Sequence, residues 1–203
     1  APLPERGRRL FEISAVCHGE RRKIAMRLFY AVEFNTPEKE ALCAAMERMK
    51  PCFIRGRFTP RENLHLTLLF LGATDEARLG GAYAAMDAVT VKRFALCVGG
   101  VGFFRQNGAA ALCWAGVESC TPLQALHSSL NAALRERGFR TETSPYRPHV
   151  TLIRRAALRE GCGRGTLTVP VMRVSVEQFS LLRSDLGGRE PVYTVLHTKR
   201  LEA

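Results

Sequence analysis

The sequence predicts an α/β (α+β) protein built from two copies of one strand-bearing unit, and three observations carry that expectation. Strand-like and helix-like segments interleave along the chain instead of separating into blocks. The pattern His-x-Thr-Leu occurs twice, as HLTL at 65–68 and HVTL at 149–152, each in an apolar strand preceded by a proline-containing turn. With 46% hydrophobic residues among 203, the chain can bury a sizeable core in one domain or two small lobes.

The elements follow in order. APLPERGRRLFEISAVCHGERRK, residues 1–23, is basic and poorly periodic and reads as part of an N-terminal extension over 1–25. MRLFYAVEF, 26–34, reads as a buried strand. Thr36-Pro37 opens a helix to about Met49, with Pro37 in its first turn and Ala41, Leu42, Ala45, Met46 and Met49 at helical spacing. CFIRGRFT, 52–59, alternates like a half-buried strand; PREN leads into the His65 strand, which Gly72 is expected to end. A second helix runs from about Asp75 to Val89. RFALCVGGVGFF and AALCWAGVE are paired strands around the turn-prone RQNG. Thr121-Pro122 opens a third helix that closes near Gly138 after an arginine-rich last turn, which suits the helix dipole and a left-handed cap. The His149 strand follows, and VMRVSVEQFSLLRS and PVYTVLHTKRL flank DLGGRE as a terminal hairpin.

Charge and cysteines narrow the class. Thirty Lys and Arg against 19 Asp and Glu leave a net charge of +11, a surface that attracts nucleic acid or phosphorylated ligands. Cys17, Cys43, Cys52, Cys97, Cys113, Cys120 and Cys162 are odd in number and form no CxxC pair, which argues against a disulfide framework or a structural zinc site and for reduced thiols in the cytoplasm. No apolar run approaches the ~18 residues of a membrane span, and no signal-peptide h-region is visible.

The repeat carries the chemistry. On a strand, His65 and Thr67 share one face while Leu64, Leu66, Leu68 and Phe70 take the other; His149 and Thr151 likewise oppose Val150 and Leu152. Two such polar faces set against each other enclose two imidazoles and two hydroxyls. Two histidines leave zinc short of ligands, and a serine-type triad fits poorly. General acid–base catalysis fits: with a reference pKa near ~6.5, one imidazole takes a proton while the other gives one. The threonine hydroxyls can donate to phosphoryl oxygens, so a phosphodiester suits the inventory.

MRLFYAVEF, ENLHLTLLFLG, LCWAGVE, PHVTLIRR and GGREPVYTVL together, in this order over residues 26 to 200, resemble the two-histidine (2H) phosphoesterases. Within these they are most similar to the RNA 2′,3′-cyclic phosphodiesterases once described as 2′-5′ RNA ligases. The resemblance implies a bilobal, pseudo-two-fold domain over 26–203, with two antiparallel-rich sheets flanking a central cleft, helices outside and one HxT motif per lobe. It implies opening of a terminal 2′,3′-cyclic phosphate to a 2′-phosphate, with no cofactor and no metal, His65 as proton donor and His149 as proton acceptor.

Thr67 and Thr151 are then expected to bind the phosphate. Arg154 matches an arginine the family uses there, although strict alternation puts it on the face opposite His149, so either a bend re-aims it or Arg155 beside it takes the role. Tyr30 matches an aromatic position near the bound base, and either stacks on a nucleobase or packs in the core. Trp114 is expected to fill core between the lobes; His18, His127 and His197 are read as surface or packed residues, and GGVG at 99–102 as a bulge or turn. The expected partner is RNA with a 2′,3′-cyclic phosphate end, or a cyclic nucleotide, met by a cytoplasmic monomer with no membrane contact. The extension is expected to be peripheral to the site. Two other readings share the cleft: a reversible 2′-5′ ligase acting on tRNA halves, and an RNA- or nucleotide-binding module without turnover.

Overall fold

A computed structural model describes residues 25–106, 110–142, 144–162, 164–188 and 190–203. The leader, with Cys17 and His18, and Asn107 and Gly108 of the RQNG turn lie outside these residues. The elements are β1 (Ala25–Glu33), α1 (Thr36–Met49), β2 (Phe53–Phe58), β3 (His65–Asp75), α2 (Leu79–Asp87), β4 (Phe94–Gln106), β5 (Ala110–Val117), α3 (Thr121–Glu136), β6 (His149–Leu158), β7 (Met172–Val176), β8 (Gln178–Asp185) and β9 (Val192–Arg200).

The strands form one sheet in the order β7-β4-β5-β6-β3-β1-β8-β9, with β2 paired to the later part of β6. The two sheets expected from the sequence are its halves, β3-β1-β8-β9 and β6-β5-β4-β7, joined where Leu66 pairs antiparallel with Val150. That junction has no exposed side-chain surface, since both residues are fully buried. The sheet curls strongly. β7 and β8 lie near opposite ends of the strand order yet only Glu177 separates them, and the bridge between Lys92 and Glu202 ties the two halves again.

Helices cover the apolar face. Asn35 caps α1 in a reciprocal capping box with Glu38, and Leu42, Ala45, Met46 and Met49 point inward. Leu123, Leu126, Leu130 and Leu134 give α3 a stripe at three- and four-residue spacing. Gly138, at φ +72°, then takes the left-handed turn that ends it, and the Phe139 N–H closes onto the Leu134 carbonyl at 3.0 Å. These side chains join Leu66, Leu68, Val150 and Leu152 in one core.

Three boundaries differ from the sequence reading. β3 does not end at Gly72: that residue bends the strand at φ +68°, and pairing with β1 continues to Ala25 opposite Asp75. α2 begins only at Leu79, after a 3-10 turn over Glu76–Arg78. The apolar run 171–184 is two strands, because β7 pairs with β4 and β8 with β1 and β9, and the chain crosses between the halves at Glu177.

Candidate active site

The register between β3 and β6 assembles the site. With Leu66 opposite Val150 and both buried, His65 and Thr67 share the other face with His149 and Thr151, His65 toward Thr151 and Thr67 toward His149. Each imidazole is anchored in the same way. His65 Nδ1 lies 2.8 Å from the Asn63 carbonyl and His149 Nδ1 lies 2.8 Å from the Arg147 carbonyl, two residues upstream in each case. A carbonyl only accepts, so both Nδ1 atoms carry the hydrogen and both Nε2 atoms are left to the cleft. His65 Nε2 is 3.0 Å from the Thr67 hydroxyl.

A bulge in each half breaks the alternation just past the motif. Thr151 pairs with Trp114 and Ile153 with the preceding residue, Cys113, so Leu152 is the extra residue in β6. Leu152 and Ile153 are consequently both buried, and Arg154 returns to the face of His149. This is the bend that Arg154 required. Its guanidinium lies close enough to lower the proton affinity of both His65 and His149. β3 repeats the device: Ala31 pairs with Thr67 and Tyr30 with Leu69, leaving Leu68 as the extra residue and Phe70 on the cleft face, about half exposed.

Aromatic side chains surround the histidines, but Tyr30 is not among those of the cleft. It is fully buried on the core face of β1, and its hydroxyl donates to the Ala82 carbonyl of α2 at 3.0 Å, so it anchors a helix and cannot stack on a base. Its neighbour Phe29 is on the opposite face of β1, buried beneath the site 5.0 Å from His65, and Tyr193 meets His65 edge-on at 5.3 Å. Trp114 is likewise not core filler between lobes: it is half-buried on the cleft face, 5.1 Å from Phe104 and 6.3 Å from His149. Its ring lies across Gly102, where an added Cβ would sit 2.1 Å from ring carbons. The GGVG run does contain a bulge, at Gly100 with φ +65°.

Phe70, Phe104, His127, Tyr146, Thr67 and His149 line a pocket of about 370 Å³ beside the motif. His127 and Tyr146 stack at 4.2 Å, and the Tyr146 hydroxyl donates to the Thr67 carbonyl at 3.0 Å. His197 pairs instead with Asp87 at 3.2 Å on the periphery. Asn63, a buried polar residue, donates its side-chain amide to the Pro191 carbonyl at 2.8 Å while its own carbonyl holds His65, so the β8–β9 hairpin supports the imidazole. Sequence periodicity gave no signal for Asn63, Phe104, Tyr146 or Tyr193, which reach the site through tertiary contacts.

Burial pushes His65 down to about 4; the hydrogen bond to Asn63 opposes this, and the charges of Arg154, Lys39 and His149 add to it. His149 is also lowered, by burial first and then by Arg154, against its own bond to Arg147. The two imidazoles are therefore unequal, with His65 the stronger acid once protonated. Glu33, the partner of His65 across the β1–β3 ladder, accepts at its carboxylate from the Ser180 hydroxyl at 2.8 Å. Among the described residues no group of three or more His, Cys, Asp or Glu side chains is placed to share a metal ion, and no described helix is long and apolar enough to cross a membrane.

A curled antiparallel sheet that presents two HxT strands on one face defines a 2H phosphoesterase. Comparison with known proteins gives the family: residues 38–188 match the model of the 2′-5′ RNA ligase superfamily, and the chain belongs to it. It is 34% identical over 182 residues to an RNA 2′,3′-cyclic phosphodiesterase of Thermus thermophilus, covering 84% of this chain and 88% of that one. It is 27% identical over 181 residues to the protein of the same name from Thermotoga maritima, covering 87% and 96%. The crystal structure of TT0787 of Thermus thermophilus superposes with a TM-score of 0.72 at 32% identity, covering 86% and 97%. Escherichia coli LigT complexed with 3′-AMP shares the fold at a TM-score of 0.71 and 23% identity, covering 87% and 98%.

Proposed function

We propose that this protein is an RNA 2′,3′-cyclic phosphodiesterase whose two histidines open the ring by metal-independent acid–base catalysis. The observation that carries the reading is the matched anchoring of both imidazoles, which presents two Nε2 atoms to one cleft in a fixed tautomer. The names borne by the relatives support the substrate class.

Water attacks phosphorus opposite the ribose 3′ oxygen, and His149 Nε2 takes a proton from it. As the P–O3′ bond breaks, protonated His65 gives its Nε2 proton to the departing oxygen, leaving a 2′-phosphate and a 3′-hydroxyl. The unequal burial makes the His65 imidazolium the stronger acid once formed and also the less populated of the two at neutral pH, so its donor role depends on the bound phosphate. The anionic phosphate raises both affinities when bound, which populates the donor form of His65. Thr67, Thr151 and Arg154 supply hydrogen-bond donors for the phosphoryl oxygens, and the pocket of Phe70 and Phe104 takes the terminal base.

The test is hydrolysis of a short RNA ending in a 2′,3′-cyclic phosphate, in EDTA, with His65→Ala and His149→Ala beside the wild type. Turnover to a 2′-phosphate end that either substitution abolishes supports the reading. Activity that survives one of them, or that EDTA removes, refutes it.

A further inference from the structure

Arg57 is the Cα partner of Arg154 across the β2–β6 ladder, so two guanidinium groups stand directly opposite each other on the cleft face. Like charges in that position are destabilising. The fold answers with one carboxylate: Glu190, on the β8–β9 hairpin, reaches Arg57 Nε at 3.4 Å. Arg154 is occupied on its other side, toward the Tyr193 hydroxyl and the two histidines. Both arginines, Glu190 and Tyr193 line one narrow slot at the end of the cleft away from Phe70. Arg57 keeps 47% of its side chain exposed, so its guanidinium is open to solvent on the outer side.

One phosphate between the histidines accounts for Arg154 and leaves Arg57 with nothing to do in the reaction. A residue directly opposite on the next strand is displaced by about 5 Å, which sets Arg57 beside Arg154 in the slot beyond the histidines. We infer that Arg57 binds the phosphodiester one nucleotide upstream of the reacting end, making the slot of Arg57 and Glu190 a second phosphate subsite that selects oligonucleotides over cyclic mononucleotides. In the free protein Glu190 occupies that position, and the incoming phosphate displaces it.

This inference rests on the reading of the cleft as a site for RNA ends, and the test separates the two. Wild type, Arg57→Gln, Arg57→Lys and Glu190→Gln are compared on adenosine 2′,3′-cyclic phosphate and on a diadenylate with the same cyclic end. Binding of the corresponding 2′-phosphate products, a mononucleotide and a dinucleotide, is measured alongside. Arg57→Gln is expected to weaken dinucleotide binding and raise its KM about tenfold, the scale of one charge-assisted hydrogen bond. It should leave kcat and all mononucleotide constants unchanged. The salt dependence of dinucleotide binding should fall by about 0.7 in log–log slope, the loss of one phosphate contact on a single strand. Arg57→Lys should restore most of the affinity, and Glu190→Gln should tighten the dinucleotide. Equal effects on mono- and dinucleotide, or none on either, overturn the subsite. Failure of the wild type to turn over either cyclic compound refutes the reaction instead, while the product-binding comparison still decides the role of Arg57.

Discussion

The depressed proton affinity of His65 has a consequence for stability that is measured without any substrate. Its folded pKa of about 4 stands against about 6.5 in the unfolded chain, so below 6.5 the unfolded state binds the extra proton and stability falls as pH falls. The full gap of 2.5 units corresponds to about 3.4 kcal/mol, all of it lost only below pH ~4. Between pH 7.5 and 4.5 the expected loss from this one group is about 2.5 kcal/mol, or nearer 2 once the solvent reaching the half-buried ring is allowed for. His65→Gln keeps a polar side chain beside the Asn63 carbonyl and removes the titration. Urea unfolding of both proteins at the two pH values gives a double difference in which the other titrating groups cancel. Wild type should lose about 2 kcal/mol more than the variant on acidification. Equal losses would show that His65 is not held neutral by burial, and the assignment of the stronger acid to this position would go with it.

Three further outcomes follow from the same geometry. Arg154→Gln removes a positive charge that lowers both histidines, so the descending limb of kcat/KM against pH should move to higher pH even as kcat/KM itself drops about tenfold or more; an unmoved limb would place the guanidinium away from the imidazoles. Gly102→Ala forces a methyl into the Trp114 ring and should cost about 1–3 kcal/mol in urea unfolding, whereas Gly80→Ala in α2, where a Cβ meets nothing within 4 Å, should be neutral or stabilising. Phe70→Ala truncates an exposed side chain and should leave Tm nearly unchanged while weakening nucleotide binding by about 1–3 kcal/mol; unaltered binding would remove the base from this pocket.

What the sequence disclosed was whatever a period of two could disclose. His65 with Thr67, and His149 with Thr151, lie on one face because strands alternate, and the buried Leu66 and Val150 fix which face that is. The rule fails one residue past each motif. Leu68 and Leu152 are ordinary strand residues whose place in a bulge depends on the register of the neighbouring strand, and nothing in LLF or LIR announces it. The same shifts explain Tyr30: in β1 the tyrosine pairs with buried Leu69 and its neighbour Phe29 with Phe70, so the aromatic that packs under His65 is one position away from the one the resemblance pointed to. Asn63 and Tyr146 act through carbonyl contacts made by chain segments 128 and 79 residues distant, beyond any local pattern.

The two bulges also explain how a near-symmetric sheet acquires a direction. HLTLLF and HVTLIR correspond residue for residue, with the same alternation, the same anchoring carbonyl and the same extra leucine. Only the residue each bulge returns to the cleft differs in character: Phe70 in one half, Arg154 in the other. Because β3 and β6 run antiparallel, these two residues lie at opposite ends of the line of histidines and threonines. A substrate carrying a flat apolar base at one end and further phosphates at the other therefore meets unlike walls, and it gains both stacking and charge pairing in one orientation only. Reversed, it would set phosphates against Phe70 and leave Arg57 with Glu190 as its only anionic partner. The two imidazoles are unequally buried along that same axis, so the proposed donor at His65 lies at the Arg154 end and the proposed acceptor at His149 toward Phe70.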